Sequence, residues 1–241
     1  MRTALWCMGS LRGSQERQKI TGMTFPLKIV PSAVDQDTLV WLEQSILECS
    51  HIVDYKDNEG IWKDAGTVAH IKHWEWDDPK ADKIKQALTN ILEPIIGSFV
   101  SIKSHILDSK LPWDVHNDYV IECSQSNLIP YCVVMIPLQT TPAKTIFFNQ
   151  GAEYMEFSRY QEENPPIADH VSQDAWNSML SHCRIKDRFW LSIDKVYDWN
   201  RGDICVWDRR TWHSSDNFKA NNLESKRAII LFTSYPEFIK I

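Results

Sequence analysis

The chain has 241 residues, of which 43% are hydrophobic, 24% charged and 11% aromatic, too apolar for a solvated disordered chain. Eight glycines exclude a collagen-like repeat, and no apolar run approaches the roughly 18–20 residues of a membrane span. A net charge of −6 argues against duplex nucleic acid as a partner.

Residues 1–23 read as a disordered leader. The segment carries arginines and few acids, features shared with organellar import sequences, so import stands open beside a cytoplasmic location. Residues 24–241 read as a single domain. The six cysteines are scattered without a CxxC pair, as in a reduced, cytoplasmic protein. FPLKIV predicts a strand. Leu39, Leu42, Ile46 and Cys49 recur at helical spacing, with Asp35 or Asp37 as the cap. HIVDYK and GTVAHIKHW predict strands around a turn at Asn58-Glu59-Gly60. A second helix follows over 79–97, opened by Pro79 and closed by Gly97.

After Gly97 short strands take over: SFVSIKSHILDS, NDYVIECS, IPYCVVMIPLQT and KTIFFNQ. Residues 151–199 mix charge and aromatic rings and form an insertion, expected as a lid or pocket wall, with Trp176, Phe189 and Trp190 as its apolar contributors. Strands resume at ICVWD, TWHSSD and KRAIILFTSYP. Helices followed by a run of strands give an α+β chain whose second half suits a jelly roll or small barrel.

Three segments carry chemistry. In LPWDVHNDYV, His116 and Asp118 stand at i and i+2, on one face of an extended strand. In NRGDICVWDRRTWHSSDNF, a turn at Arg201-Gly202-Asp203 leads to a strand, and His213 lies on the next. In SKRAIILFTSY, Arg227 shares a face with Ile229 and Leu231, so its guanidinium is expected inside the barrel. Two histidines and a carboxylate can form the facial triad of a non-haem Fe(II) centre, which leaves positions open for oxygen and a cosubstrate.

The ordered set His116-Asn117-Asp118, Arg201-Gly202-Asp203, His213 and Arg227 resembles the 2-oxoglutarate- and Fe(II)-dependent dioxygenase superfamily over roughly residues 103–236. The resemblance implies a double-stranded β-helix (jelly-roll) core supported by the N-terminal helices. It implies that His116, Asp118 and His213 bind Fe(II) and that Arg227 pairs with the far carboxylate of 2-oxoglutarate. It further implies reaction with O2 to hydroxylate a small-molecule or peptide substrate, releasing succinate and CO2. The chain departs from the pattern in the wide gap between His116 and His213, which the insertion accounts for. With Asp118 present the carboxylate ligand is intact, which disfavours halogenation.

Asn149 and Tyr131, on neighbouring strands, are either hydrogen-bond donors to the cosubstrate or structural residues. His70 and His73 face opposite sides of an extended strand, so they make no second metal site. Arg209 and Arg210 either attract an acidic group or form a solvated turn. Trp74, Trp76 and Trp113 either wall the entrance or fill the seam between helices and barrel. Two other classes stay open: an inactive β-helix binding module, and a cupin-type metalloenzyme without 2-oxoglutarate.

Overall fold

The computed structural model describes residues 25–58, 61–118, 132–154 and 156–235. Strand β1 (Lys28–Val30) leads to helix α1 (Gln36–Cys49), and β2 (His51–Lys56) and β3 (Thr67–Trp74) follow. Helix α2 (Asp82–Ile96) precedes β4 (Val100–Ser109), β5 (Cys132–Pro137) and β6 (Lys144–Gly151). Short helices α3 (Phe157–Glu163) and α4 (Gln173–Met179) precede β7 (Ile193–Asp198), β8 (Ile204–Asp208), β9 (Thr211–Ser215) and β10 (Lys226–Ser234).

The strands form two antiparallel sheets in a jelly-roll arrangement. The large sheet runs β1-β8-β5-β10-β4-β3-β2 and the small one β7-β6-β9. Alternation along each strand divides the apolar residues among three layers. In β10, Ala228, Ile230 and Phe232 join Val133, Trp207 and Phe147 between the sheets. Ile229 and Leu231 turn the other way, into the layer under the helices, with Leu39 and Leu42 of α1 and Leu88 and Leu92 of α2. A third layer, behind the small sheet, joins Ile146, Phe148 and Trp212 to Trp176 and Leu191.

The helix ends follow from local chemistry. Asp35 caps α1, its Oδ1 accepting from the Thr38 amide at 2.9 Å. Gly97 ends α2 with φ +79°, a conformation open to glycine. Gly202 has φ +84°, and an added Cβ there would lie 2.5 Å from the Val34 carbonyl oxygen. The predicted Arg201-Gly202-Asp203 turn therefore needs glycine on two counts.

The insertion takes a different place from the one expected. Its end forms β7 of the small sheet, and the part before it packs on the back of that sheet, where Trp176 is fully buried and Trp190 only partly so. Phe189 is exposed. Among its described residues before Trp199, none lines the central cavity. Its aromatic content arises from covering a sheet face, a demand that composition cannot tell apart from that of a lid. Trp74 and Trp76 fill the seam under the helices. The predicted strand over NDYVIECS lies outside the described residues from Tyr119 onward, as do the turn residues Glu59 and Gly60 and the leader. No described helix is long and apolar enough to cross a membrane.

Candidate metal centre

Between the sheets lies a cavity of about 430 Å³. His213 reaches it from β9. His116 lies on an irregular segment that pairs with β9 through reciprocal backbone bonds: His116 N–H to His213 O at 2.9 Å and His213 N–H to His116 O at 2.8 Å. The Asp118 amide continues the pairing by donating to Arg209 O at 2.9 Å. The segment thus runs along the edge of the small sheet, and the i, i+2 pair faces inward. Asn117, between them, turns its amide to the Ala152 and Tyr154 carbonyls and fixes the segment.

One ligand-type atom from each of His116, Asp118 and His213 lies within 4.8 Å of the others. The ring tautomers follow from the backbone. His116 Nδ1 is 2.6 Å from Asp114 O, and His213 Nδ1 is 3.0 Å from Thr211 O. A carbonyl oxygen can only accept, so each Nδ1 carries a proton and Nε2 is the ring nitrogen left to meet a metal. Burial, and then the neighbouring His213, push the His116 pKa down to about 4, which keeps that ring neutral. Asp118 Oδ2 accepts from Trp207 Nε1 at 2.8 Å and sits 3.5 Å from His213 Nε2. Two imidazole nitrogens and one oriented carboxylate suit a borderline divalent cation such as Fe(II).

Arg227 is not among the residues that line the cavity; the lysines Lys103 and Lys226 are. The Arg227 side chain crosses to the helix side, where Nη2 donates to Glu43 Oε1 of α1 at 2.5 Å. It does share a face with Ile229 and Leu231, but that face packs against the helices. Both faces of β10 are buried, so alternation fixes which residues stand together and not which face looks inward. Lys226, one residue earlier, lines the cavity with Ile230 and Phe232. It is 3% exposed, lies over the Trp199 ring at 4.5 Å, and has no ion-pair partner among the described residues. Burial pushes its pKa down to about 7, against a smaller upward pull from Asp216.

Asn149 is also placed elsewhere. A register shift after Phe147 ends the β6 alternation, and the exposed Asn149 amide donates to Ser192 Oγ at 3.0 Å. The β6 residue that lines the cavity is Thr145, whose Oγ1 accepts from Trp199 Nε1 at 2.9 Å. Tyr131 lies outside the described residues. Arg209 and Arg210 pair with Glu153, and Arg210 also with Asp208, so this turn is internally neutralised. Trp113 lines the cavity with its ring centroid 5.6 Å from that of His116. His70 and His73 do part: His70 pairs with Asp54, while His73 stands in a row of rings between His51 and His105.

Solved structures share this architecture. The non-heme alpha ketoglutarate dependent epimerase SnoN from nogalamycin biosynthesis matches with a TM-score of 0.54, over 87% of this chain and 78% of that one, at 14% identity. EctD from S. alaskensis, solved with 2-oxoglutarate and 5-hydroxyectoine, matches with a TM-score of 0.50, over 88% and 72%, at 7% identity. The chain has the fold of the non-haem 2-oxoglutarate-dependent oxygenases. Identities this low speak to the fold alone, and fold does not fix function. No protein-family model and no curated protein matches the sequence.

Proposed function

We propose that the protein is a non-haem Fe(II)- and 2-oxoglutarate-dependent oxygenase. The observation that carries this reading is the convergence of two imidazole nitrogens and one carboxylate in a cavity that also holds a buried lysine. His116, Asp118 and His213 would hold the metal. Lys226 would pair with the distal carboxylate of 2-oxoglutarate, the role expected of Arg227, because a desolvated ammonium is costly without an anion beside it. Thr145 accepts from Trp199 and so keeps its hydroxyl proton to donate to the same carboxylate.

When bound, Fe(II) and 2-oxoglutarate supply oxygen activation: one O2 and one 2-oxoglutarate give succinate, CO2 and one oxygen atom for a substrate C–H bond. The chain supplies orientation and a dry site. Trp207 fixes the Asp118 carboxylate, and backbone carbonyls fix both imidazoles. A small-molecule or peptide substrate fits a cavity of this size better than a duplex. The buried Lys226 favours this reading over a cupin-type enzyme that needs no dicarboxylate, and the complete ligand set favours it over an inactive module. The test is succinate formation from 2-oxoglutarate by Fe(II)-loaded protein. Formation that requires the metal and disappears in Asp118→Ala supports the reading. Oxygen uptake independent of 2-oxoglutarate would favour the cupin alternative.

A further inference from the structure

The large sheet extends beyond the metal centre through β4, β3 and β2, and this extension walls one part of the cavity with Tyr55, Ile71, Leu107 and Trp113. Tyr55 and Trp113 meet at a tilt with ring centroids 4.8 Å apart, and Trp113 in turn lies beside the metal-site residue His116. An imidazole stands among these side chains. His105 of β4 is 6% exposed and lines the cavity, and its Nδ1 is buried with no hydrogen-bond partner. His73 packs edge-on against it at 5.4 Å, and Phe232 stacks on it at 5.8 Å. These contacts hold the ring without satisfying its Nδ1. Burial, then His73 and Lys103, hold its pKa well below the ordinary histidine value, so it is a neutral hydrogen-bonding group.

An unsatisfied polar ring in a desolvated wall costs stability unless something pairs with it. Alanine, leucine or phenylalanine would fill the same place at no such cost. We propose that the Tyr55–Ile71–His105–Trp113 part of the cavity is the subsite for the prime substrate. It takes a flat, largely apolar molecule whose hydroxyl or carbonyl group hydrogen-bonds to His105. The inference rests on the oxygenase reading for calling this molecule a substrate, but not for the binding itself. Aromatic walls supply contact area without orientation, and one hydrogen bond at His105 fixes which edge of the molecule turns toward the metal.

The test uses three probes of one ring system: naphthalene, 2-naphthol and 2-naphthoate. Their affinities are measured by equilibrium dialysis without oxygen, on the full chain with and without Fe(II) and 2-oxoglutarate. Wild type should bind 2-naphthol about 3- to 10-fold more tightly than naphthalene, the range for one net hydrogen bond. His105→Phe should erase that difference while leaving naphthalene and 2-oxoglutarate affinity within about twofold. His105→Gln should keep part of it. Should the Phe variant fail to fold, His105→Leu reads the same difference. An equal 2-naphthol preference in His105→Phe or His105→Leu would overturn the proposal, as would no binding of either neutral ring by wild type. So would tightest binding of 2-naphthoate regardless of residue 105, which would indicate an anion site at Lys103. A protein that binds 2-naphthol through His105 but not 2-oxoglutarate would instead sink the oxygenase reading and leave the subsite standing.

Discussion

Lys226 and Arg227 are adjacent in β10 and serve opposite faces of the large sheet. Lys226 enters the cavity over the Trp199 ring, and Arg227 reaches back to Glu43 on α1. Of two neighbouring cations, one is therefore available to a ligand and the other ties a helix to the sheet.

The helix-side pair carries a stability prediction. Arg227 and Glu43 are 29% and 20% exposed, so the contact is neither fully screened nor fully desolvated. Glu43→Ala should destabilise the protein by about 1 kcal/mol, a magnitude expected for a partly exposed ion pair. A double-mutant cycle with Arg227→Met in urea should show coupling of the same size. Additive effects would mean that the contact contributes nothing.

Metal binding should need all three converging residues. His116→Ala, Asp118→Ala and His213→Ala should each weaken Fe(II) binding by at least about 100-fold, since each removes one of three donors. Trp207→Phe keeps the ring but removes the 2.8 Å bond to Asp118. It should weaken binding by roughly 10-fold, the low end for loss of a partner that orients a ligand. Anaerobic calorimetry checks both, and a wild-type value for Asp118→Ala would remove the triad.

The buried amine predicts a pH dependence with a defined sign. With its pKa near 7 before ligand binds, Lys226 is charged below that pH and must take up a proton to pair with a dicarboxylate above it. Affinity for 2-oxoglutarate should be level at pH 6 and fall toward tenfold per unit above about pH 7. Lys226→Arg stays charged and should flatten the profile. In the ligand-free protein the unfolded chain holds this proton more tightly than the folded one. Lys226 should therefore make stability rise with pH between about 7 and 10.5, the ordinary lysine value. Lys226→Met should remove that slope from the urea midpoint.

The turn before β8 gives a fourth prediction. Gly202→Ala forces a left-handed residue and sets its Cβ against the Val34 carbonyl. It should cost at least about 2 kcal/mol, measured by urea denaturation. A loss below 0.5 kcal/mol would mean that the turn relaxes freely.

Much of this was legible in the sequence because local periodicity encodes it. The spacing of Leu39, Leu42 and Ile46 gives α1 and its buried face, and Asp35, one of the two caps the sequence offers, is the one used. His116 and Asp118 were legible as a pair because i and i+2 share a face on extended backbone, and His213 because it follows a Gly-Asp turn and a strand. Orientation was not legible where both faces of an element are buried. β10 presents apolar side chains inward and outward, so its alternation groups Arg227 with Ile229 but leaves the facing undecided. The one usable signal was that Lys226 alternates with Ala228, Ile230 and Phe232 as regularly as Arg227 does with the other set. Asn149 escaped because a register shift interrupts β6, and nothing in KTIFFNQ marks it. His105 escaped because a lone histidine in a strand resembles any packed ring until its neighbours are known.

The central claim is that the cavity binds Fe(II) at the triad and 2-oxoglutarate at Lys226, not at Arg227. The direct measurement is 2-oxoglutarate affinity of Fe(II)-loaded protein without oxygen, for wild type, Lys226→Met and Arg227→Met. Loss of a buried charge-assisted contact of roughly 3 kcal/mol should raise the dissociation constant about 100-fold in Lys226→Met. Arg227→Met should stay within about twofold of wild type, and all three proteins should retain Fe(II). Unchanged affinity in Lys226→Met, or a large loss in Arg227→Met alone, would contradict the account.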